Sequence, residues 1–138
     1  MLDRITSWLA PDGVLVLVDT ASFPVFGSRN PVYRKAMQAW VDVLALTGSD
    51  YEWARSFPEP IQRRGFRDIG FSAMTPVVQG GTPLAQFWSS TLEAMRTRIV
   101  DPQVISAEQV DSAQRLLADP IFWDLGAAFL AAWGRRPH

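Results

Sequence analysis

The sequence of 138 residues predicts an α/β fold, a partial sheet covered by helices. Three observations carry this. Residues 14–18, Val-Leu-Val-Leu-Val, are apolar without alternation, as expected of a strand covered on both faces in a parallel sheet. Segments 32–46 and 84–95 keep a helical apolar period. Turn and cap signals separate the pieces, so each strand or helix has a defined start.

Bulk properties bound the function. A chain of this length with 48% apolar residues suits one soluble domain. A net charge of −1 with pI about 5.7 offers no basic face for phosphate contacts, which argues against a dedicated nucleic-acid binder even though Arg63, Arg64 and Arg67 cluster. The absence of cysteine excludes disulfides, thiolate nucleophiles and cysteine metal sites. The one histidine is His138, the last residue, which leaves no general base for a serine hydrolase triad. No apolar run reaches the roughly 20 residues that span a bilayer, and no signal peptide is recognisable, so a cytoplasmic protein is expected. Six tryptophans and eight phenylalanines supply large buried area, and most are expected in the core.

In chain order, Leu2, Ile5, Trp8 and Leu9 share a helix face that stops before Pro11. Pro11-Asp12-Gly13 is turn chemistry, and the strand at 14–18 follows. Residues 21–31 read as a loop, and Asn30-Pro31 opens a helix with Val32, Ala36, Ala39, Trp40, Val43 and Leu44 inside and Gly48 as its stop. A short helix at about 58–64 ends at Gly65, and a strand broken near Pro76 comes next. Thr82-Pro83 starts a helix expected to run to about Arg98, with Leu84, Phe87, Trp88, Leu92 and Met95 on one stripe. Ser106 and Gln109 form a capping-type pair for a helix ended by Asp119-Pro120. The last apolar segment reads as a helix on alanine content and equally as a short strand at 129–133.

This order of pieces resembles the C-terminal half of class I S-adenosylmethionine-dependent methyltransferases: a helix, the turn Leu9-Ala10-Pro11-Asp12-Gly13, a buried strand ending in Asp19, "RRGFRDIGF", inserted helices at about 82–119, and "FLAAWGRR". The family has a glycine where Asp12 stands. The resemblance implies a Rossmann-like sheet of which this chain holds the last three strands, with 14–18 paired to about 129–133 and its other edge open. Completion by a homodimer or a complementary N-terminal half is then expected, because an open apolar edge is an aggregation template. The cofactor implied is S-adenosylmethionine, held in the family by a glycine-rich loop and an acidic residue upstream. Neither is present here, so the isolated chain is expected to bind none. Gly80-Gly81 reads as a loop turn, with a ligand-cradling loop as the alternative.

Several residues are candidates for binding a substrate. Asp19 ends the strand on the side where open α/β sheets take ligands, and capping is its simpler role. Ser22, Phe23 and Phe26 lie on the following loop, which by resemblance borders an acceptor pocket, though loop packing also explains them. Tyr51, Trp53 and Arg55 precede the short helix as a possible aromatic wall. Trp88, with Phe87 and Met95, has core spacing but lies on the insertion that the resemblance makes a lid. Glu52, Glu59, Glu93, Asp101, Glu108 and Asp111 form no acid pair or metal cluster. The expectation is a small-molecule methyltransferase portion, inactive alone; the alternative is a non-catalytic dimeric protein that binds a small apolar ligand or acts in assembly.

Overall fold

A computed structural model describes residues 2–100 and 104–137; Asp101 and His138, named in the sequence analysis, lie outside them. The chain divides into two compact units, each assembled from separated segments: Met1–Ala21, Glu52–Met74 and Ala128–His138 form the first, Ser22–Tyr51 and Thr75–Ala127 the second.

The first unit is a three-stranded antiparallel sheet with helices on one face. It contains α1 (Leu2–Trp8), β1 (Val14–Ala21), a 3-10 turn (Trp53–Ser56), α4 (Pro58–Gln62), β2 (Arg67–Met74) and β5 (Ala128–Arg135). The labels α2, α3, β3, α5 to α7 and β4 belong to the second unit. The strand order is β1-β5-β2, so the chain's last strand is central and antiparallel to both neighbours. Val16 faces Trp133 and Val18 faces Ala131 across the first ladder, as expected for pairing of 14–18 with the terminal strand.

The turn into β1 places Asp12 at φ 61°, and Gly13 donates its N–H to the Ala10 carbonyl at 2.9 Å. A Cβ on Gly13 would lie 2.8 Å from that same oxygen, which explains the glycine. Along β1, Leu15, Leu17 and Ala21 point inward with Ala128, Leu130 and Ala132 of β5, onto Ala54, Phe57, Ile61 and Phe66, while Leu2 and Ile5 of α1 and Leu9 just after it close the cluster. Val14, Val16 and Val18 point outward and are 50%, 57% and 61% exposed. The unbroken apolar run is therefore two interleaved faces of an antiparallel strand rather than a strand covered on both sides. Pleating forces this outcome once the strand sits in a sheet that its own unit covers on one side.

Phe129, Trp133 and Met74 share the exposed face with these valines. The Trp133 ring lies over Gly70, where a Cβ would come within 2.1 Å of ring Cζ2. The two outer strands differ. β2 carries a register shift between Arg67 and Gly70, has Asp68 at φ 53°, and is followed by Thr75-Pro76. β1 runs eight residues without bulge, proline or lysine, and pairs only with β5 among the described residues.

The second unit holds α2 (Phe23–Phe26), α3 (Pro31–Leu46), β3 (Val77–Gln79), α5 (Pro83–Ala94), α6 (Arg96–Val100), α7 (Ala107–Ala118) and β4 (Trp123–Leu125). Asn30 caps α3, its Oδ1 accepting from the N–H of Val32 and Tyr33 at 3.0 and 3.1 Å, and Gly48 follows the helix at φ 82°. The helix expected from 83 to about 98 stops at Met95, and α6 continues separately. Arg96 at that junction reaches Glu93 at 2.8 Å and Asp111 of α7 at 2.7 Å, linking the helices. The segment read as one strand broken at Pro76 supplies β2 to the first unit and β3, paired with β4, to the second. The core is formed by Val25, Met37, Trp40, Val43, Trp88, Leu92, Ile99, Val110 and Leu117. No described helix is long and apolar enough to cross a membrane.

Candidate functional site

Asp19 stands one turn of pleat before the end of β1, on the inward face with Leu15 and Leu17. Its carboxyl group is fixed at both oxygens. The indole Nε1–H of Trp53 donates to Oδ2 at 2.8 Å, and the backbone N–H of Thr20 donates to Oδ1 at 2.7 Å. Trp53 is itself held because the 3-10 turn brings it edge-on to Phe57, with ring centroids 4.6 Å apart at 84°, and Phe57 is buried. Each carboxyl oxygen keeps a lone pair for a further donor. An oriented carboxyl group with spare acceptor capacity can align a hydroxyl or amine and receive its proton. Arg55, on the same turn, forms an exposed ion pair with Glu52 at 3.4 Å.

The remaining sequence-predicted residues belong to the second unit. Ser22 is fully buried at the N-cap of α2, and its carbonyl accepts from the N–H of Val25 at 3.0 Å. Phe23 is partly exposed, whereas Phe26 packs against the unit's core. Trp88 sits in an aromatic cluster: its ring meets Trp40 at 4.9 Å and Phe87 at 5.2 Å, and Trp40 meets Tyr51 at 4.5 Å. The Trp88 indole N–H is enclosed and has no hydrogen-bond partner among the described residues. Phe87, on the same predicted stripe, is 57% exposed. The structure thus joins Asp19 to Trp53 and places Trp88 in hydrophobic packing.

Gly80 and Gly81 use their N–H groups within the fold. Gly80 donates to the Phe122 carbonyl and Gly81 to that of Leu117, both at 2.9 Å. A Cβ on Gly80 would lie 1.8 Å from the Asp119 carbonyl oxygen, so close backbone approach accounts for this glycine. Among the described residues, no group of three or more His, Cys, Asp or Glu could hold a metal ion.

Sequence reasoning missed one polar cluster. Ser28, nearly buried, donates to Asp124 at 2.5 Å, and the buried Tyr33 hydroxyl donates to the Leu125 carbonyl at 3.0 Å. Burial, followed by the nearby charge of Asp124, pushes the Tyr33 phenol well above its ordinary pKa. The partners lie more than ninety residues apart in sequence, so neither contact shows in a local pattern.

Compared with models of known protein families the chain matches none, and no curated protein matches it.

Proposed function

We propose that this chain is the acceptor-side portion of a class I S-adenosylmethionine-dependent methyltransferase for a small molecule, with the methyl donor held by a complementary cofactor-binding half. The observation that carries the reading is the strand order β1-β5-β2, in which the last strand runs antiparallel between the other two. The position of that strand between the other two is what the resemblance implies for the seventh strand of the family, which lies between the fifth and the sixth.

The exposed side of the sheet supports a complementary half as the partner. The partner must supply a strand to the bare edge of β1 and an apolar layer over Val14, Val16, Val18, Phe129 and Trp133. A second copy added edge to edge would continue the sheet but leave both outer faces in water. A strand followed by a packed helix satisfies both demands.

In this reading Asp19, oriented by Trp53, aligns the acceptor's nucleophilic atom toward the donor methyl and accepts its proton, and the rate gain comes from proximity and orientation. When bound, S-adenosylmethionine supplies the electrophilic methyl group. The alternative, a non-catalytic homodimer, draws support from the same bare edge.

Calorimetric titration of the isolated chain with S-adenosylmethionine tests the first part. No binding tighter than about 100 μM is expected, since no glycine-rich backbone cradle is available; micromolar binding overturns the division of labour. Co-expression with a neighbouring frame that encodes a "G-x-G-x-G" half tests the second. Methyl transfer by the pair, lowered at least tenfold by Asp19→Ala, is expected, and a pair that forms yet transfers nothing to a panel of phenols and amines overturns the enzyme reading.

A further inference from the structure

Lys35 is the one lysine among the thirteen basic residues of the chain. It lies on α3 in the second unit and forms no hydrogen bond or ion pair with any described residue, whereas its neighbour Arg34 donates to the Ser28 carbonyl at 3.0 Å. Two cavities adjoin at this side chain. The first, of about 220 Å³, is lined by Val32, Lys35, Ala36 and Gln109 among others; the second, of about 520 Å³, shares Lys35 and Gln109 and continues along Val104 and Ile105. Together they make a trough between α3 and the start of α7.

The walls of this trough are aliphatic apart from Lys35, Gln109 and the hydroxyl-bearing Ser106 and Ser112, and no described carboxylate lines either cavity. On α7, Asp111 is engaged by Arg96, and the exposed Glu108 stands between the lining residues Ala107 and Gln109 without lining either cavity. Gln109 is engaged at its Oε1, which accepts from the Ser106 N–H at 2.9 Å in the capping box, and its Nε2 is a further donor on the wall. Among the described residues the trough therefore presents largely apolar surface with one cationic side chain, Lys35, in its lining. Apolar pockets with a small number of placed polar groups bind small molecules in a fixed orientation. An ammonium beside aliphatic walls selects a carboxylate, because a charge-assisted bond adds to the burial of the body.

We infer that the trough between α3 and α7 binds a small apolar carboxylate, with its anionic end on Lys35 Nζ and its body along Val32, Ala36, Val104 and Ile105. This site is independent of the methyltransferase reading and uses none of the residues assigned to it.

The single lysine makes the test direct. Reductive methylation of the intact chain with ¹³C-formaldehyde leaves the amine charged and gives one side-chain resonance besides that of the α-amine. Titration with octanoate is expected to shift the Lys35 resonance to saturation, and octanol, of equal length without the charge, is expected to bind roughly tenfold more weakly. Lys35→Met is expected to weaken octanoate binding by about the same factor while leaving octanol unchanged. A Lys35 resonance that does not move, or equal affinity for octanoate and octanol on the unsubstituted chain, overturns the inference. The two titrations on unsubstituted protein decide it even if the variant folds poorly.

Discussion

At the residue scale, Tyr33 and Lys35 show how two positions on one helix acquire opposite roles. Tyr33 is driven inward, and its hydroxyl must find the Leu125 carbonyl because an unpaired buried hydroxyl costs about 1–3 kcal/mol. Its raised pKa makes a prediction with a definite sign. Below about pH 10 the phenol is neutral in the folded and the unfolded chain alike. Above that value the unfolded chain releases its proton first, so stability falls as pH rises toward the higher folded value. Urea melts at pH 9 and pH 11 should therefore differ, and Tyr33→Phe should shrink that difference while costing about 0.5–1.5 kcal/mol at pH 9 for the lost hydrogen bond. An undiminished alkaline slope in the variant would place its origin elsewhere. The sequence reads Asp19 as the end of a strand that in fact runs on to Ala21, and its partner is not legible there. Trp53 is 34 positions away, and only the closed sheet brings that indole to the carboxyl group.

Among the elements, those marked by local chemistry were readable and those decided by distant pairing were not. Asn30-Pro31 and Ser106 begin α3 and α7 through side-chain caps, and Pro83 in the first turn begins α5, where the Thr82 hydroxyl makes no capping bond and donates to the Gln79 carbonyl instead; such signals act within three or four residues. The capping box of α7 is complete, with Ser106 Oγ accepting from the Gln109 N–H at 3.2 Å and the Gln109 side chain accepting from the Ser106 N–H. Ser106→Ala should lower the stability of α7 by about 1 kcal/mol, seen as a drop in the helical circular-dichroism melt. An unchanged melt would mean that packing of Val110, Ala113 and Leu117 alone fixes the helix start. By contrast, the alanine-rich segment that becomes β5 has no intrinsic preference strong enough to decide between helix and strand, and ladders on both of its sides settle the matter. The strands β3 and β4 are three residues each, too short to show a period.

For the whole molecule, the division into two units was hidden because each is built from separated segments, and no linker composition marks their boundaries. The exposed outer face of the sheet was equally hidden, since an apolar run does not say which of its two sides will be covered. That face predicts association. Without a complementary half, the chain at micromolar concentration should sediment as a species heavier than its 15.4 kDa monomer, and Val16→Lys with Val18→Lys should return it to the monomer. A compact monomer from the unsubstituted chain would refute the expectation. The inequality of the two outer strands bears on where such growth stops. With β2 kinked by its register shift and Asp68, and β1 straight, the molecule has one adhesive end and one inert end. Each addition at β1 consumes the one straight outer strand of this sheet. Growth by strand addition through this sheet is thus limited to pairs, and fibre formation by that route is closed off by the shape of β2 rather than by any charge on β1.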